Sequence, residues 1–393
     1  MSIAKFEDIF LANTFWKRPI TLVRGFGAKV WDSEGKEYID CGCGYGVALL
    51  GHCHPKIVDA IKKQCEKLIT CHGSFYNDMR EECLARLYKI KPKGTERVFL
   101  SNSGAEAIEA AIKLVRKFTG KKKIIAMVNS FHGKTIGALS LTWNPKYREP
   151  FLPLLEGIKF ASYGNIEKLK SLIDEEVGAI FIEPIQGEGG VNIPPPEYLK
   201  EVRELCDNKG ILFVLDEVQS GFGRTGKIWA HEHFGVKADI LCAGKALGGG
   251  LPIGATFAHA DIMDSLKRGE HSNTFGGNPL VCASCAAAID VLLEDGLIEN
   301  AKIMGDFLMN EISKIESKII REIRGMGLMI GIEMRFEVKD IILEMLKRGV
   351  IVLEAGRNVV RLLPPLVIKR DEAEKVISAF EEVVRIQEKN LLG

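Results

Sequence analysis

The chain lacks any apolar stretch long enough to span a bilayer, and its longest hydrophobic runs are broken by Gly and Pro. It also lacks an excess of either charge, with 53 basic side chains against 52 acidic ones and a net charge of +1. That balance argues against nucleic acid or an anionic membrane as the main partner and leaves room only for a local patch. Residues 1–30 contain Glu7 and Asp8 and no basic start followed by an apolar core, so we expect no secretory signal and a cytoplasmic protein. The ten cysteines show no disulfide-scaffold spacing and read as reduced, mostly buried thiols. Cys41, Cys43, His52, Cys53 and His54 form one grouping that could be tested for metal, and Cys282 with Cys285 forms another. Neither is expected to bind one, because the second has no further ligand pair at finger-like spacing and the first lies in a glycine-rich loop. There is also no internal repeat and no low-complexity linker.

What is present is enough apolar residue, 46% of 393, to fill two or three domains. Short β-branched runs at 97–101, 123–128, 179–184, 211–218 and 239–245 alternate with helical patterns at 105–119, 166–176 and 196–209. This alternation predicts an α/β fold, a mostly parallel sheet with helices on both faces and ligands at the carboxyl ends of its strands. The C-terminal hundred residues change character: 322–334 alternates like one antiparallel strand, 336–349 reads as a helix, and 359–368 as a strand with a prolyl break. Asp371 with Glu374 three residues on has the spacing of a capping box for a last helix. We expect a large domain over 49–285, a small α+β domain over 286–393, and residues 1–48, with a hairpin in 27–41, packing on the latter.

Chemistry concentrates where strands end. In ADILCAGKALGGG, Lys245 closes an apolar run, where an unpaired ammonium is costly and tends to lose its proton. A neutral amine there could form a Schiff base with an aldehyde cofactor, and the following glycines would let a planar ligand approach. The competing reading is a lysine that snorkels to water. In SNSGAEA, the residues Ser103, Gly104 and Ala105 open a helix whose free N–H groups and dipole can hold a phosphate. In VLDEVQSG, Asp216 ends a strand where burial calls for a partner such as a pyridinium nitrogen. Val218 would press on that ring, Gln219 would donate to a ring oxygen, and Glu217 is grouped with them as a cofactor contact. A metal-binding Asp-Glu pair of the nucleotide-hydrolase kind would need a loop ending in Gly-Lys-Ser or Gly-Lys-Thr, which the chain lacks. Phe131, after the strand at 123–128, could stack on the ring's other face.

Taken in order, GHCHP, SNSGAEA, FHGKT, EPIQGEGG, LDEVQSGFGRTG, CAGKALGGGLPIGA, TFGGNPL, RGMGLM and RLLPPLVI resemble the fold-type I, class III pyridoxal-phosphate aminotransferases over nearly the whole chain. The resemblance implies a seven-stranded, mostly parallel sheet in the large domain and pyridoxal 5'-phosphate as cofactor. It implies that Ser103, Gly104 and Ala105 hold its phosphate, Phe131 stacks, Asp216 meets the ring nitrogen and Lys245 bonds the aldehyde carbon. It also implies that Thr274 reaches the phosphate of a neighbouring subunit, so that a homodimer shares its active sites. Arg361 would hold the α-carboxylate of glutamate, with Glu188 replacing that carboxylate when an ω-amine enters. Asn273 and Tyr45 join Lys134 as substrate contacts.

Within class III the chain is most similar to the acetylornithine aminotransferase group. It departs at Lys134, because FHGKT replaces FHGRT and a lysine attracts a carboxylate without the bidentate fork. TWNPKYREPFLPL, VRLLPPLVI and Tyr45 resemble aminotransferases acting on lysine or ornithine precursors carried by the small acidic protein LysW. The expected reaction moves an amino group between glutamate and 2-oxoglutarate on one side and a terminal semialdehyde on the other. The semialdehyde is LysW-linked aminoadipate or glutamate semialdehyde, with acetylornithine or ornithine transamination as the alternative. A carrier would need a basic rim, for which Lys134, Lys146 and Arg148 are candidates. A rival, a dinucleotide oxidoreductase, rests on GFGRTG at 221–226 with Asp239 downstream, but no crossover helix follows it. A relative that has lost catalysis is hard to reconcile with both Lys245 and Asp216.

Overall fold

A computed structural model of the protein describes residues 3–392. Seven strands form the main sheet, in the order Arg97–Ser101, Gly254–Ala258, Ile240–Gly244, Leu212–Asp216, Val177–Ile182, Lys123–Met127 and Ile158–Ala161. All neighbours pair in parallel except Gly254–Ala258, which is antiparallel to both of its partners. The three central strands at 177–182, 212–216 and 240–244 are buried at every position. Covered on both faces, they read as unbroken apolar runs rather than as alternation.

The pleat divides these residues between two cores. Ile180, Ile182, Phe213, Leu215 and Leu241 face one side, with the helices Tyr198–Lys209 and Pro279–Glu294. Ala179, Phe181, Val214, Ile240 and Cys242 face the other, against the helix Gly104–Thr119. The helix Pro279–Glu294 also packs on the turn Lys245–Gly248, where Ser284 Oγ donates to Gly248 O at 2.7 Å. Cys282 and Cys285 lie buried on this helix as free thiols.

The sequence patterns missed two strands of the main sheet. Ile158–Ala161 is only four residues long, and Gly254–Ala258 is built from small residues around a buried Thr256. The helix expected over 166–176 closes after Ile166–Lys170. Residues 322–334 form a hairpin of Ile320–Met326 and Met329–Met334 instead of one strand. Its corner is Gly327 at φ +55°, where a Cβ would lie 2.6 Å from the Thr225 carbonyl carbon. The final helix, Arg370–Leu392, starts one residue early. Glu372 takes the box position by accepting from Lys369 N at 2.9 Å, while Glu374 pairs with Arg370.

Two four-stranded sheets complete the fold. One joins Leu22–Phe26, Lys29–Asp32 and Glu37–Asp40 to Val350–Ile351, with Ile39 opposite Val350 and Asp40 opposite Ile351. The N-terminal hairpin thus shares a sheet with the C-terminal part of the chain. The other contains the hairpin 320–334 with Val359–Leu362 and Leu353–Ala355, and it carries Arg361.

Candidate active site

Six of the seven main strands run the same way, so their carboxyl ends gather along one edge of the sheet, as open α/β folds require for ligand binding. Ser101, Asp216 and Gly244 end strands there, and Lys245 follows directly. Ser103 caps the helix Gly104–Thr119 by accepting from Glu106 N at 3.2 Å. Glu106 in turn accepts from Asn102 N at 3.1 Å and from Asn102 Nδ2 at 2.9 Å, so the chain enters the helix on a fixed path. The first backbone bond of the helix runs from Ala107 N to Ser103 O, which leaves the N–H groups of Gly104 and Ala105 ahead of the intrahelical ladder. Glycine is required at 104: a Cβ there would sit 2.6 Å from Val218 Cγ1. A Cβ on Gly254 would sit 2.1 Å from Ser103 O, so the floor of this loop is also backbone-tight.

Asp216 is buried. Its Oδ2 lies 2.7 Å from His132 Nδ1, and its Oδ1 accepts from Val218 N at 3.0 Å. Burial works against a charged His132 ring, yet the bond to Asp216 and the carboxylates of Asp216 and Glu183 together lift the imidazole above its ordinary value. His132 Nε2 is buried without a partner. Glu183 closes the run AIFIEP much as Asp216 closes ILFVLD, and it is buried too. One of its oxygens accepts from Phe131 N at 2.9 Å and the other from Gly187 N at 3.1 Å. Burial and Asp216 push its carboxyl up, while His132 and the two backbone donors pull it down, and the net direction is up.

Lys245 occupies left-handed backbone at φ +47°, an uncommon conformation for a residue with a side chain. Burial lowers its pKa to about 8, with Arg361 pulling the same way and Glu188, Asp216 and Glu183 opposing. Near neutral pH an appreciable share of this amine is therefore available as a nucleophile and base, unlike a solvated lysine.

Beyond the lysine lies a closed ion pair. Arg361 is 0% exposed, and its Nη1 stands 2.8 Å from Glu188 Oε1 and 2.9 Å from Gln219 Oε1. Burial alone would raise the Glu188 carboxyl, but Arg361 and Lys245 outweigh it and lower it. Tyr45, half-exposed at φ +58°, places its ring 5.9 Å from the Arg361 guanidinium.

The chain matches the family Aminotransferase class-III over residues 12–384. The chain is a class-III aminotransferase. An acetylornithine aminotransferase of Methanopyrus kandleri is 46% identical over 387 residues, covering 98% of this chain and 99% of that protein. A LysW-aminoadipate semialdehyde/glutamate semialdehyde transaminase of Sulfurisphaera tokodaii is 46% identical over 366 residues, covering 92% and 94%. The solved ornithine aminotransferase of Toxoplasma gondii superposes with a TM-score of 0.94 at 34% identity, covering 98% of this chain and 95% of that one.

The aminotransferase uses pyridoxal 5'-phosphate, and the residues present fit that group. A helix start with unspent N–H groups suits a phosphate, a buried carboxylate suits a pyridinium, and a depressed amine suits an aldehyde. The described residues contain no group of three or more His, Cys, Asp or Glu that could hold a metal ion. In the loop of Cys41 and Cys43, His52 pairs with Asp40 at 2.8 Å and His54 approaches Asp295 at 3.5 Å.

Several expected contacts of the aminotransferase sit elsewhere. Glu217 does not line the site: its oxygens accept from Ala230 N at 2.7 Å and His231 N at 2.8 Å, which anchors the 229–233 turn. Asn273 shapes its own loop: its Nδ2 donates to Leu100 O at 2.9 Å and its Oδ1 accepts from Gly276 N at 2.5 Å. Thr274, next to it, is exposed. Gln219 bonds with Arg361 and Glu188. Arg148 stacks its guanidinium 4.7 Å over Phe160 and is partly buried. Lys134 is exposed and lies 4.6 Å over the ring of Tyr147, which meets Phe131 edge-on at 6.2 Å.

His132, Glu183 and Tyr147 escaped the sequence analysis. A carboxylate ending an apolar run was a readable signal for Glu183, the same one that singled out Asp216. The place of Tyr147 depends on a tertiary contact and had no such signal.

Proposed function

We propose that the enzyme transfers an amino group between glutamate and the terminal aldehyde of an N-acylated glutamate semialdehyde, giving an N-acylated ornithine, with acetylornithine as the substrate type. The observation that carries this reading is the Arg361–Glu188 pair. A guanidinium with no exposure is costly to leave without a partner anion, and a half-reaction with glutamate can supply one through its α-carboxylate. When an ω-amine enters with no carboxylate near the reacting carbon, Glu188 keeps the site neutral. One pocket thereby takes the two substrates in turn.

Bound pyridoxal 5'-phosphate supplies an electron sink for the carbanion at the reacting carbon. In this reading the N–H groups of Ser103, Gly104 and Ala105 hold the phosphate, and Val218 and Phe131 flank the ring. Asp216, fixed by His132 and Val218 N, holds a proton on the ring nitrogen. Lys245 is the catalytic residue whose Nζ would take the proton from the substrate's reacting carbon and carry it across the intervening nitrogen to the cofactor's former aldehyde carbon, a task suited to a base near pKa 8. Lys134 offers a point charge to the acyl end of the substrate.

We read the active unit as a homodimer. Arg80 ties the loop at 71–75 to Gly277 through bonds to Cys71 O, Phe75 O and Gly277 O at 2.8, 2.8 and 2.7 Å. This fixes the exposed rings of Phe75, Tyr76 and Phe275 on a patch beside Thr274. Rigid, clustered aromatic exposure is the mark of an interface, and a second copy would bring Thr274 toward its partner's phosphate loop.

A second reading, a LysW-linked semialdehyde, is favoured by the Sulfurisphaera tokodaii relative. Comparing kcat/KM for acetylornithine, ornithine and the carrier-linked amine tests both. The proposal expects acetylornithine to lead by about tenfold or more, the discrimination that one satisfied or unsatisfied buried polar contact supplies. A lead for the carrier-linked amine overturns it.

A further inference from the structure

We infer that Glu183 is a positioning residue for the Arg361–Glu188 gate, pinning Gly187, the residue before Glu188, to the backbone of Phe131. The inference rests on the gate reading of Glu188 given above. Gly187, Gly189 and Gly190 flank Glu188, and such a segment has little stiffness of its own. A glycine-rich segment that carries a switching carboxylate needs anchors from outside.

Glu183 supplies the central one. Its carboxylate is buried, one oxygen on each of two loops: Phe131 N at 2.9 Å on the loop of the stacking aromatic, and Gly187 N at 3.1 Å on the gate loop. Gln186 Nε2 donates to Val128 O at 2.8 Å, joining the same two loops again. On the far side, Gly356 N donates to Glu188 O at 2.9 Å. A Cβ on Gly189 would stand 2.3 Å from Asn129 O, so the segment is also pressed against the Phe131 loop. The backbone of Glu188 is held from both ends, and opening of the gate is a side-chain motion only. No acid-base step needs Glu183. It acts through Gly187 by setting how firmly Glu188 can neutralise Arg361.

The two half-reactions should feel this differently. Glutamate brings its own carboxylate to Arg361, whereas an ω-amine depends on Glu188 to avoid a buried unpaired charge. Glu183→Gln keeps the shape but turns an NH2 toward one of two N–H donors, leaving one loop unpinned. The test measures single-turnover conversion of the bound cofactor with L-glutamate and with N-acetyl-L-ornithine, in wild type, Glu183→Gln and Glu183→Asp.

Glu183→Gln is expected to lower kcat/KM for N-acetylornithine by about tenfold more than for glutamate, the scale of one orphaned buried hydrogen-bonding group. Glu183→Asp keeps the charge but reaches less far, so its change should have the same sign and be smaller. Should the Gln variant fail to fold, the Asp variant alone carries the test. An unchanged ratio, a reversed ratio, or an equal loss in both half-reactions overturns the inference. Inability of the wild-type enzyme to use either amine would instead overturn the functional reading, which is a separate outcome.

Discussion

Arg361 and Glu188 meet at 2.8 Å across a sharp contrast in exposure, with the guanidinium at 0% and the carboxylate side chain at 27%. The cation cannot leave, because it belongs to the buried strand Val359–Leu362, while the anion can. This asymmetry makes Glu188 the moving part. Arg361→Lys should therefore raise KM for glutamate, since an ammonium lacks the bidentate fork, by about tenfold to a hundredfold. Steady-state kinetics with glutamate varied at fixed acceptor read this directly.

Lys245 sets a pH dependence. Its ordinary value of 10.5 falls to about 8 by burial, and only the neutral amine attacks an aldehyde. Capture of pyridoxal phosphate by the apoprotein should accelerate as pH rises through about 8 and level off above it. Glu188 raises this pKa, so Glu188→Gln should move the midpoint to lower pH. A stopped-flow absorbance series across pH gives both midpoints. A wild-type midpoint near 10.5 would mean the amine is solvated.

Asp216 is a buried carboxylate with two partners, His132 and Val218 N. Asp216→Asn removes the charge and leaves His132 facing an amide. Breaking a buried charge pair costs about 3–5 kcal/mol, which corresponds to a loss of roughly two to four orders of magnitude in kcat/KM if it falls on the reaction's transition state. Cofactor content measured alongside the rate separates lost chemistry from lost binding.

Gly104→Ala places a methyl 2.6 Å from Val218 Cγ1. Overpacking of this kind costs about 1–3 kcal/mol, and here it strains both the phosphate loop and the wall of the site. We expect weaker cofactor retention in equilibrium dialysis, with the helix content of the protein unchanged by circular dichroism.

Much of this was legible because buried strands write themselves as apolar runs, so a polar residue at the end of a run stands out. Asp216 and Lys245 were found on that signal, and Glu183 carried the same signal without being taken up. Strand Gly254–Ala258 was not legible because its identity comes from two antiparallel partners, not from β-branched content. Glu217 misled, and the loop bonds of Asn273 were hidden, for a related reason. A side chain's neighbours in sequence share its loop, but which way it points is decided by distant backbone groups such as Ala230 N and Leu100 O. The hairpin at 327 was hidden because the tight approach of Thr225 that demands glycine there comes from another part of the chain.

Lys245 carries the amino-transfer chemistry at this site. The most direct test adds L-glutamate to cofactor-loaded wild-type and Lys245→Ala protein and follows a single turnover by absorbance, with the product 2-oxoglutarate quantified. The wild type should convert its aldehyde cofactor to the amine form and release one equivalent of 2-oxoglutarate, while the variant binds cofactor without forming the lysine-bound chromophore and does not turn over. A Lys245→Ala protein that keeps the wild-type spectrum and rate would contradict it.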